Sequence, residues 1–399
     1  MRPEEKAKIL ASTTFLCITI ILHLIFNQPG PIPDPYTHFQ TEFEKKMMER
    51  NLQSVMYDIT SFYDNPQNNV YNSQKYICCY RDPNDLERNV GRPFPATPYV
   101  IDVYEEYMRA PAISDAEKLE KLKNPKTGAR PQPVTAFSSN HYAEHLKEIG
   151  TAMRLFKNQK ILVYDLGMDQ KQRDYIQNNS TFEYRMLNFN RYPPHVKRLT
   201  TYAWKTLIWR EVLIEFGALT WFDTSMSFSV NGDSYDMIVK DYIINRRSSV
   251  LMYNHETGHS NAWATNAGMW SYFPSNMTKH HVNHVMSQAN GMILFNTKEF
   301  KMNIMRWALL CVLTEDCIAP MMVTGRQSNK YCPKEKDTQD FGYICHRFDQ
   351  SLFSLLVHNY YYYDKTIYQI QEKRHKFLGS TARDKLKEKK YDERGIAIN

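Results

Sequence analysis

From Val134 onward, short apolar runs alternate with stretches whose apolar residues recur every three or four positions. That alternation builds strand-helix-strand units around a mostly parallel sheet. VTAFSSN reads as a strand, HYAEHLKEIGTAMRLF as a helix, KILVYDLG as a strand, DQKQRDYIQ as a short helix and FEYRMLNFN as a strand. The next helix is expected over Thr200 to Phe216. It brings Trp204, Leu207, Ile208 and Glu211 near one another, with Val212, Leu213 and Phe216 extending the apolar face and Gly217 suited to the carboxyl cap. ALTWF is then a strand that ends on Asp223. SSVLMYN and GMILFNTKEF continue the apolar runs, MRWALLCVL reads as a helix, and CHRFDQSLFSLLVHNYYYYD reads as a helix followed by aromatics. The expected fold class is α/β, a mostly parallel central sheet flanked by helices.

The chain before this pattern is different. Ile9 to Phe26 carries no formal charge and is long enough to cross roughly 30 Å of hydrocarbon at about 1.5 Å per residue. Arg2, Lys6 and Lys8 precede it and no basic residue follows in NQPGPIPDP, so the short amino end is expected in the cytosol and the remainder in a lumen. No small-x-small cleavage site follows, which favours an uncleaved signal anchor over a removed signal peptide. The expected organisation is a cytosolic tail (1–8), a membrane anchor (9–26), a stem and accessory region (27–130), an α/β domain (131–371) and a charged tail (372–399). Alternating prolines from Pro29 to Pro35 stiffen the stem. Residues 37–130 mix helical patches with Pro-rich stretches and specify no compact fold.

Charge and cysteine usage refine this picture. The net charge of +7 is concentrated in the tail from Glu372, where nine Lys or Arg face five acids, and the near-balance elsewhere excludes a nucleic-acid footprint. That tail reads as a solvated helix or a disordered segment. Beyond Cys17 there are six cysteines, an even set suited to disulfides in an oxidising compartment. Their pairing stays open, with Cys311 and Cys317 as plausible partners. Asn178-Asn-Ser, Asn179-Ser-Thr and Asn276-Met-Thr are glycosylation sequons.

Candidate chemistry gathers where strands end, because ligands of open α/β sheets bind beyond the carboxyl ends of the strands. Ser138, Ser139 and Asn140 follow VTAF, Asp165 follows ILVY, and Asp223 follows LTWF. Each of these residue types also favours turns and helix caps, so turn roles compete with ligand roles at every one.

The succession VTAFSSNHY, ILVYDLGM, YAWKTLIWREVLIEFGALTWFDTS, GMILFNT and CHRFDQS resembles a nematode-expanded family of type II membrane proteins with a glycosyltransferase-A-like lumenal domain. The resemblance spans roughly Pro133 to Tyr363. It implies a nucleotide-sugar donor, a glycan or glycoprotein acceptor, and a divalent ion, usually manganese, that neutralises the diphosphate leaving group. On this reading Asp223 meets metal and diphosphate, Ser225 and His346 are further metal ligands, and Lys205 reaches a donor phosphate. Ser138, Asn140 and Asp165 line the donor site, and Asp349 with Gln350 faces the sugar or acceptor. The sequence departs from the metal motif DxD of such enzymes in having Ser225 where a second acid would stand, which puts metal affinity in doubt. Lys205 as a surface lysine and Asp349 as a helix amino-terminal cap are the competing roles.

Two other functions compete. The missing second acid suits a relative that binds glycan or nucleotide without turnover. His255-Glu256-Thr257-Gly258-His259 matches the zinc-peptidase pattern H-E-x-x-H, but that chemistry needs a helix, and here a strand-like run precedes the motif and Gly258 interrupts it.

Overall fold

The computed structural model describes residues 130–320 apart from residue 225 and the stretches 229–231, 253–258 and 283–288. It also describes most of 76–118, residue 332, residues 345–370 and two residue pairs near the carboxyl end. The expected membrane anchor Ile9 to Phe26, the stem and Ser225 lie outside the described residues. Among the described residues no helix is long and apolar enough to cross a membrane.

Six strands form the central sheet: β1 (Gln132–Phe137), β2 (Ile161–Asp165), β3 (Phe182–Met186), β4 (Ala218–Phe222), β5 (Val250–Met252) and β6 (Gly291–Phe295). Their order is β3-β2-β1-β4-β6-β5. β3, β2, β1 and β4 pair in parallel, and β6 pairs antiparallel with β4 on one side and β5 on the other, so β6 alone runs against the rest. The sheet is therefore mostly parallel, as the alternating pattern implies. Its inner strands are buried along their whole length, which follows from helices covering both faces.

The labelled helices are α1 (Pro98–Arg109), α2 (Tyr142–Leu155), α3 (Gln170–Asn178), α4 (Ala203–Phe216), α5 (Gly232–Lys240), α6 (Arg306–Val312) and α7 (Asp349–Tyr360). Alternate residues of each strand serve opposite faces. Ala218 and Phe222 join a core with Phe137, Val163, Ile293 and Phe156. Trp221 instead meets Trp209 of α4, with ring centroids 5.7 Å apart, and Trp209 in turn meets Phe353 of α7 at 4.6 Å. Asp223, two residues past Trp221, leaves the sheet with the parity of the α4 and α7 face.

Boundaries shift from expectation where backbone geometry intervenes. The strand read in VTAFSSN ends at Phe137, and Ser139–His141 is a 3-10 turn. The helix expected from Thr200 begins at Ala203, because Leu199–Thr201 is a 3-10 turn and Tyr202 takes a left-handed conformation, φ 55°. Gly217 ends α4 at φ 71°, with its N–H donating to the Leu213 carbonyl. Of the charged tail only Lys390–Tyr391 and Ala397–Ile398 are described, paired as a two-residue antiparallel ladder, and the rest of the expectation for it lies outside the described residues.

Part of the region before the sheet packs into it. Val100, Val103 and Tyr107 of α1 are buried, the Tyr107 hydroxyl hydrogen-bonds Asn296, and buried Arg210 of α4 donates to the Val103 carbonyl and pairs with Glu106 at 2.6 Å. Disulfides join Cys311 to Cys317 and Cys332 to Cys345, and Cys79 is also disulfide-bonded.

Candidate active site

The chain leaves β1 toward β2 and β3 on one side, then crosses back to lay β4 on the other side of β1. At such a reversal the loops after neighbouring strands diverge and open a crevice at the carboxyl ends. Ser138 to Asn140 follow β1 there, and Asp223 follows β4.

Asp223 is fixed by its backbone and its side chain. Its N–H donates to the Asn290 carbonyl at 2.7 Å, and its carbonyl accepts from Met226 at 3.0 Å. Oδ1 accepts from Trp221 Nε1 at 2.8 Å, and Lys205 Nζ lies 3.2 Å from Oδ1 and 3.4 Å from Oδ2. The same ammonium lies 2.7 Å from Asp349 Oδ2 and donates to the Ala289 carbonyl at 3.2 Å. Lys205 therefore joins the end of β4 to the first residue of α7. Its side chain is 3% exposed and that of Asp349 5%, whereas the side chain of Asp223 is 32% exposed. One carboxylate thus faces solvent while its two partners sit behind it.

Charge balance sets the protonation of this cluster. Burial works against the Lys205 ammonium, but the charges of Asp223 and Asp349 outweigh it and push its pKa up. Burial, together with the charge of Asp349, raises the pKa of Asp223 against the pull of Lys205. Rings enclose the ammonium too, with Nζ 5.5 Å from the centre of Tyr202 and 5.6 Å from that of Trp221.

The two helices that carry Lys205 and Asp349 both start from strained residues. Tyr202 (φ 55°) precedes α4 and Phe348 (φ 46°, ψ −110°) precedes α7, and their rings lie 6.1 Å apart. Non-glycine residues in this region cost on the order of 1–3 kcal/mol and persist only where the surroundings hold them. Tyr202 is held against the Lys205 ammonium, and Phe348 against the rings of Tyr202 and His346.

The other residues expected at the site are placed as follows. Asp165 is saturated: Oδ1 accepts from the N–H groups of Gly167 and Met168, both at 2.7 Å, and Oδ2 from Arg173 at 2.8 Å and Tyr184 at 2.7 Å. Burial opposes its charge, but these four donors hold its pKa below the usual value. Its carboxylate builds the β2–α3 turn. Ser138 and Ser139 are half-buried and Asn140 is exposed, and the Ser139 hydroxyl donates to the Gly167 carbonyl at 3.0 Å.

His346 is fully buried. Its Nε2–H donates to the Ile318 carbonyl at 3.0 Å and its Nδ1 accepts from the Asn266 N–H at 3.2 Å, which leaves neither nitrogen for a metal. Gln350 is half-buried, with Oε1 accepting from Arg347 Nε at 2.9 Å. Lys205 is not a surface lysine, and its ammonium is already engaged by two carboxylates. Of the zinc-peptidase motif only His259 is described. Among the described residues no group of three or more His, Cys, Asp or Glu is arranged to hold a metal.

The donor set does not fit the divalent ion that the family resemblance implies. A hard divalent ion needs several oxygens with free lone pairs. Here the buried acid faces an ammonium, Asp165 has four donors, and His346 is closed. Sequence reading missed Trp221, Tyr202 and Phe348 as parts of this site. The alternation of β4 carried a signal for Trp221, while nothing in the sequence marks a left-handed Tyr or Phe.

Residues 65–210 match a family described as "Protein of unknown function (DUF1647)". No curated protein is similar in sequence. Among solved structures the chain is similar to the WbbM bifunctional glycosyltransferase, at 15% identity over 46% of this chain and 38% of that one, with a TM-score of 0.30. The chain thus spans well under half of that protein. It is also similar to the galactosyltransferase LgtC in complex with donor and acceptor sugar analogues, at 10% identity over 60% of this chain and 73% of that one, TM-score 0.33. A third is the mannosyltransferase PcManGT from Pyrobaculum calidifontis in complex with GDP-Man and Mn2+, at 10% identity over 63% of this chain and 68% of that one, TM-score 0.25. All three are glycosyltransferases.

Proposed function

We propose that the protein is a glycosyltransferase that moves a sugar from a nucleotide-sugar donor to a glycan or glycoprotein acceptor. On this reading it is a type II membrane protein of the Golgi or endoplasmic reticulum, anchored by residues 9–26, with the α/β domain in the lumen. One observation carries the activity. Asp223 stands one-third exposed at the reversal of strand order, and buried Lys205 ties it to Asp349 of a helix more than a hundred residues away in sequence. The disulfides Cys311–Cys317 and Cys332–Cys345 support an oxidising compartment.

In the reaction, an acceptor hydroxyl oxygen bonds to the anomeric carbon, the bond from that carbon to the diphosphate breaks, and the hydroxyl proton must leave. Asp223 is the carboxylate placed to accept hydrogen bonds from sugar hydroxyls or to take that proton. Asp349 acts through Lys205 as a positioning residue. Gln350, held by Arg347, presents its amide beside the same helix start. Ser138 and Asn140 supply polar groups from the neighbouring strand end. A phosphate contact is not assigned to Lys205, because its ammonium is buried between the acids.

The test is to incubate the purified protein with a panel of nucleotide sugars and mixed glycan acceptors and to score release of free nucleotide. Turnover should fall by about 10²-fold or more in Asp223→Asn. Equal turnover in that variant would remove Asp223 from the reaction.

A second reading, a protein that binds glycan or nucleotide without turnover, draws on the same cluster, since Lys205 already neutralises one of its two acids. Saturable UDP or glycan binding with no nucleotide release across the panel would select it.

A further inference from the structure

Between Asp223 and Asp349, one cation already occupies the place a divalent ion would take. Lys205 Nζ lies 2.7 Å from Asp349 Oδ2 and 3.2 Å from Asp223 Oδ1, with the Ala289 carbonyl at 3.2 Å. We infer that Lys205 is the resident cation of this site, so that the acid pair takes up no manganese and a nucleotide-sugar donor is bound without a divalent metal. The part concerning the donor rests on the glycosyltransferase reading, whereas the part concerning the acid pair stands on the geometry alone.

Three features make the ammonium hard to displace. First, it is enclosed. Lys205 is 3% exposed, and besides the two acids and one carbonyl the described residues around it include the rings of Tyr202 and Trp221. An ammonium pushed out by a metal would be left buried without a counter-charge, which is costlier than the pair it left. Second, the other ligands a metal would need are already engaged. Asp223 Oδ1 accepts from Trp221 Nε1, which leaves Oδ2 as the carboxylate oxygen turned to solvent, and His346 has both ring nitrogens on backbone groups. Third, the lysine is fixed by its helix. It lies at the third position of α4, whose start is set by Tyr202, and the Lys205 N–H donates to the Tyr202 carbonyl at 3.1 Å. The helix fixes where the stem begins, and its burial restricts where the stem can turn.

This arrangement gives Ser225 a physical context. A chain that supplies its own cation has no need of a second acid two residues after Asp223.

The experiment has two arms. In the first, Mn2+ alone is titrated into the purified protein and free Mn2+ is followed by electron paramagnetic resonance. The expected result is no stoichiometric uptake. One-to-one binding that disappears in Asp223→Asn would overturn the inference. The variant Lys205→Met removes the ammonium while keeping an apolar stem, and it should gain an Mn2+-dependent rise in melting temperature that the wild type lacks. A folded variant with no such rise would also count against Lys205 as the holder of the ion's place. If that variant fails to fold, the wild-type titration decides by itself.

In the second arm UDP binding is measured by calorimetry in EDTA and in Mn2+. The dissociation constant should agree within about twofold between the two conditions. Binding seen only with Mn2+ would overturn the inference. Absence of binding in both conditions by UDP, and by GDP and CMP titrated in the same way, would instead remove the glycosyltransferase reading, and the Mn2+ titration would still decide the role of Lys205.

Discussion

Lys205 is the residue on which the site turns, and its energetics can be anticipated from burial. Removing one partner of a buried ion pair leaves the other charge uncompensated, at a cost of about 3–5 kcal/mol. Lys205→Met should therefore lower the free energy of urea unfolding by about that amount, since it strands Asp349, whose side chain is 5% exposed. Asp223→Asn should cost much less, because Asp223 is one-third exposed and Asp349 remains to pair with the ammonium. A larger loss in Asp223→Asn than in Lys205→Met would show that the pairing is weighted the other way. That contrast also separates stability from activity, because Asp223→Asn is the variant expected to lower turnover by about 10²-fold or more. The sequence, through the family resemblance, already put Lys205, Asp223 and Asp349 in one site. Their meeting at a single ammonium was not legible there, since they belong to a helix, a strand end and a second helix far apart in the chain.

At the scale of elements, local chemistry fixed most of the boundaries. ALTWF is β4 residue for residue, and the helix after KILVYDLG starts with a capping box in which the Asp169 side chain accepts from the Gln172 N–H at 3.0 Å while Gln172 reaches back to Asp169. Asp169→Ala should cost about 1 kcal/mol in urea unfolding, with no change in any activity that depends on Asp223. Gly217, at φ 71°, closes α4 in a conformation that an L-residue adopts at a cost, so Gly217→Ala should destabilise by about 1 kcal/mol. An unchanged unfolding midpoint in that variant would count against the left-handed cap. The start of α4 was misplaced by three residues for the opposite reason. Nothing in Tyr202 favours φ 55°, and only its packing against Phe348 and the ion cluster explains it.

At the scale of the whole molecule, buried imidazoles tie stability to pH. Burial lowers the pKa of His346 and of His280 to about 4, and each ring is hydrogen-bonded in its neutral form, His280 to Asn359 and Asn261. In the unfolded chain both take up protons near the ordinary histidine value, so the unfolded state binds more protons between about pH 6.5 and about pH 4. Stability is therefore full above that window and falls as pH drops through it. The urea midpoint should decline between pH 7.5 and pH 5, and His346→Asn should flatten the decline even though it lowers stability at pH 7.5. A midpoint insensitive to pH over that range would contradict the neutral, buried placement of both rings.

By itself the sequence determined what depends on near neighbours. Alternating and helical spacing specified the elements, Gly217 and Asp169 their ends, and the mostly parallel sheet followed from the succession of the two kinds. The tertiary structure alone decided what depends on distant parts meeting in space: the order β3-β2-β1-β4-β6-β5, the closure of His346 by two backbone groups, and the burial of Lys205 between two acids. The physical reason is that periodicity reports which side of an element turns inward, whereas a charge's environment is set by whatever packs against it, and those groups come from elsewhere in the chain.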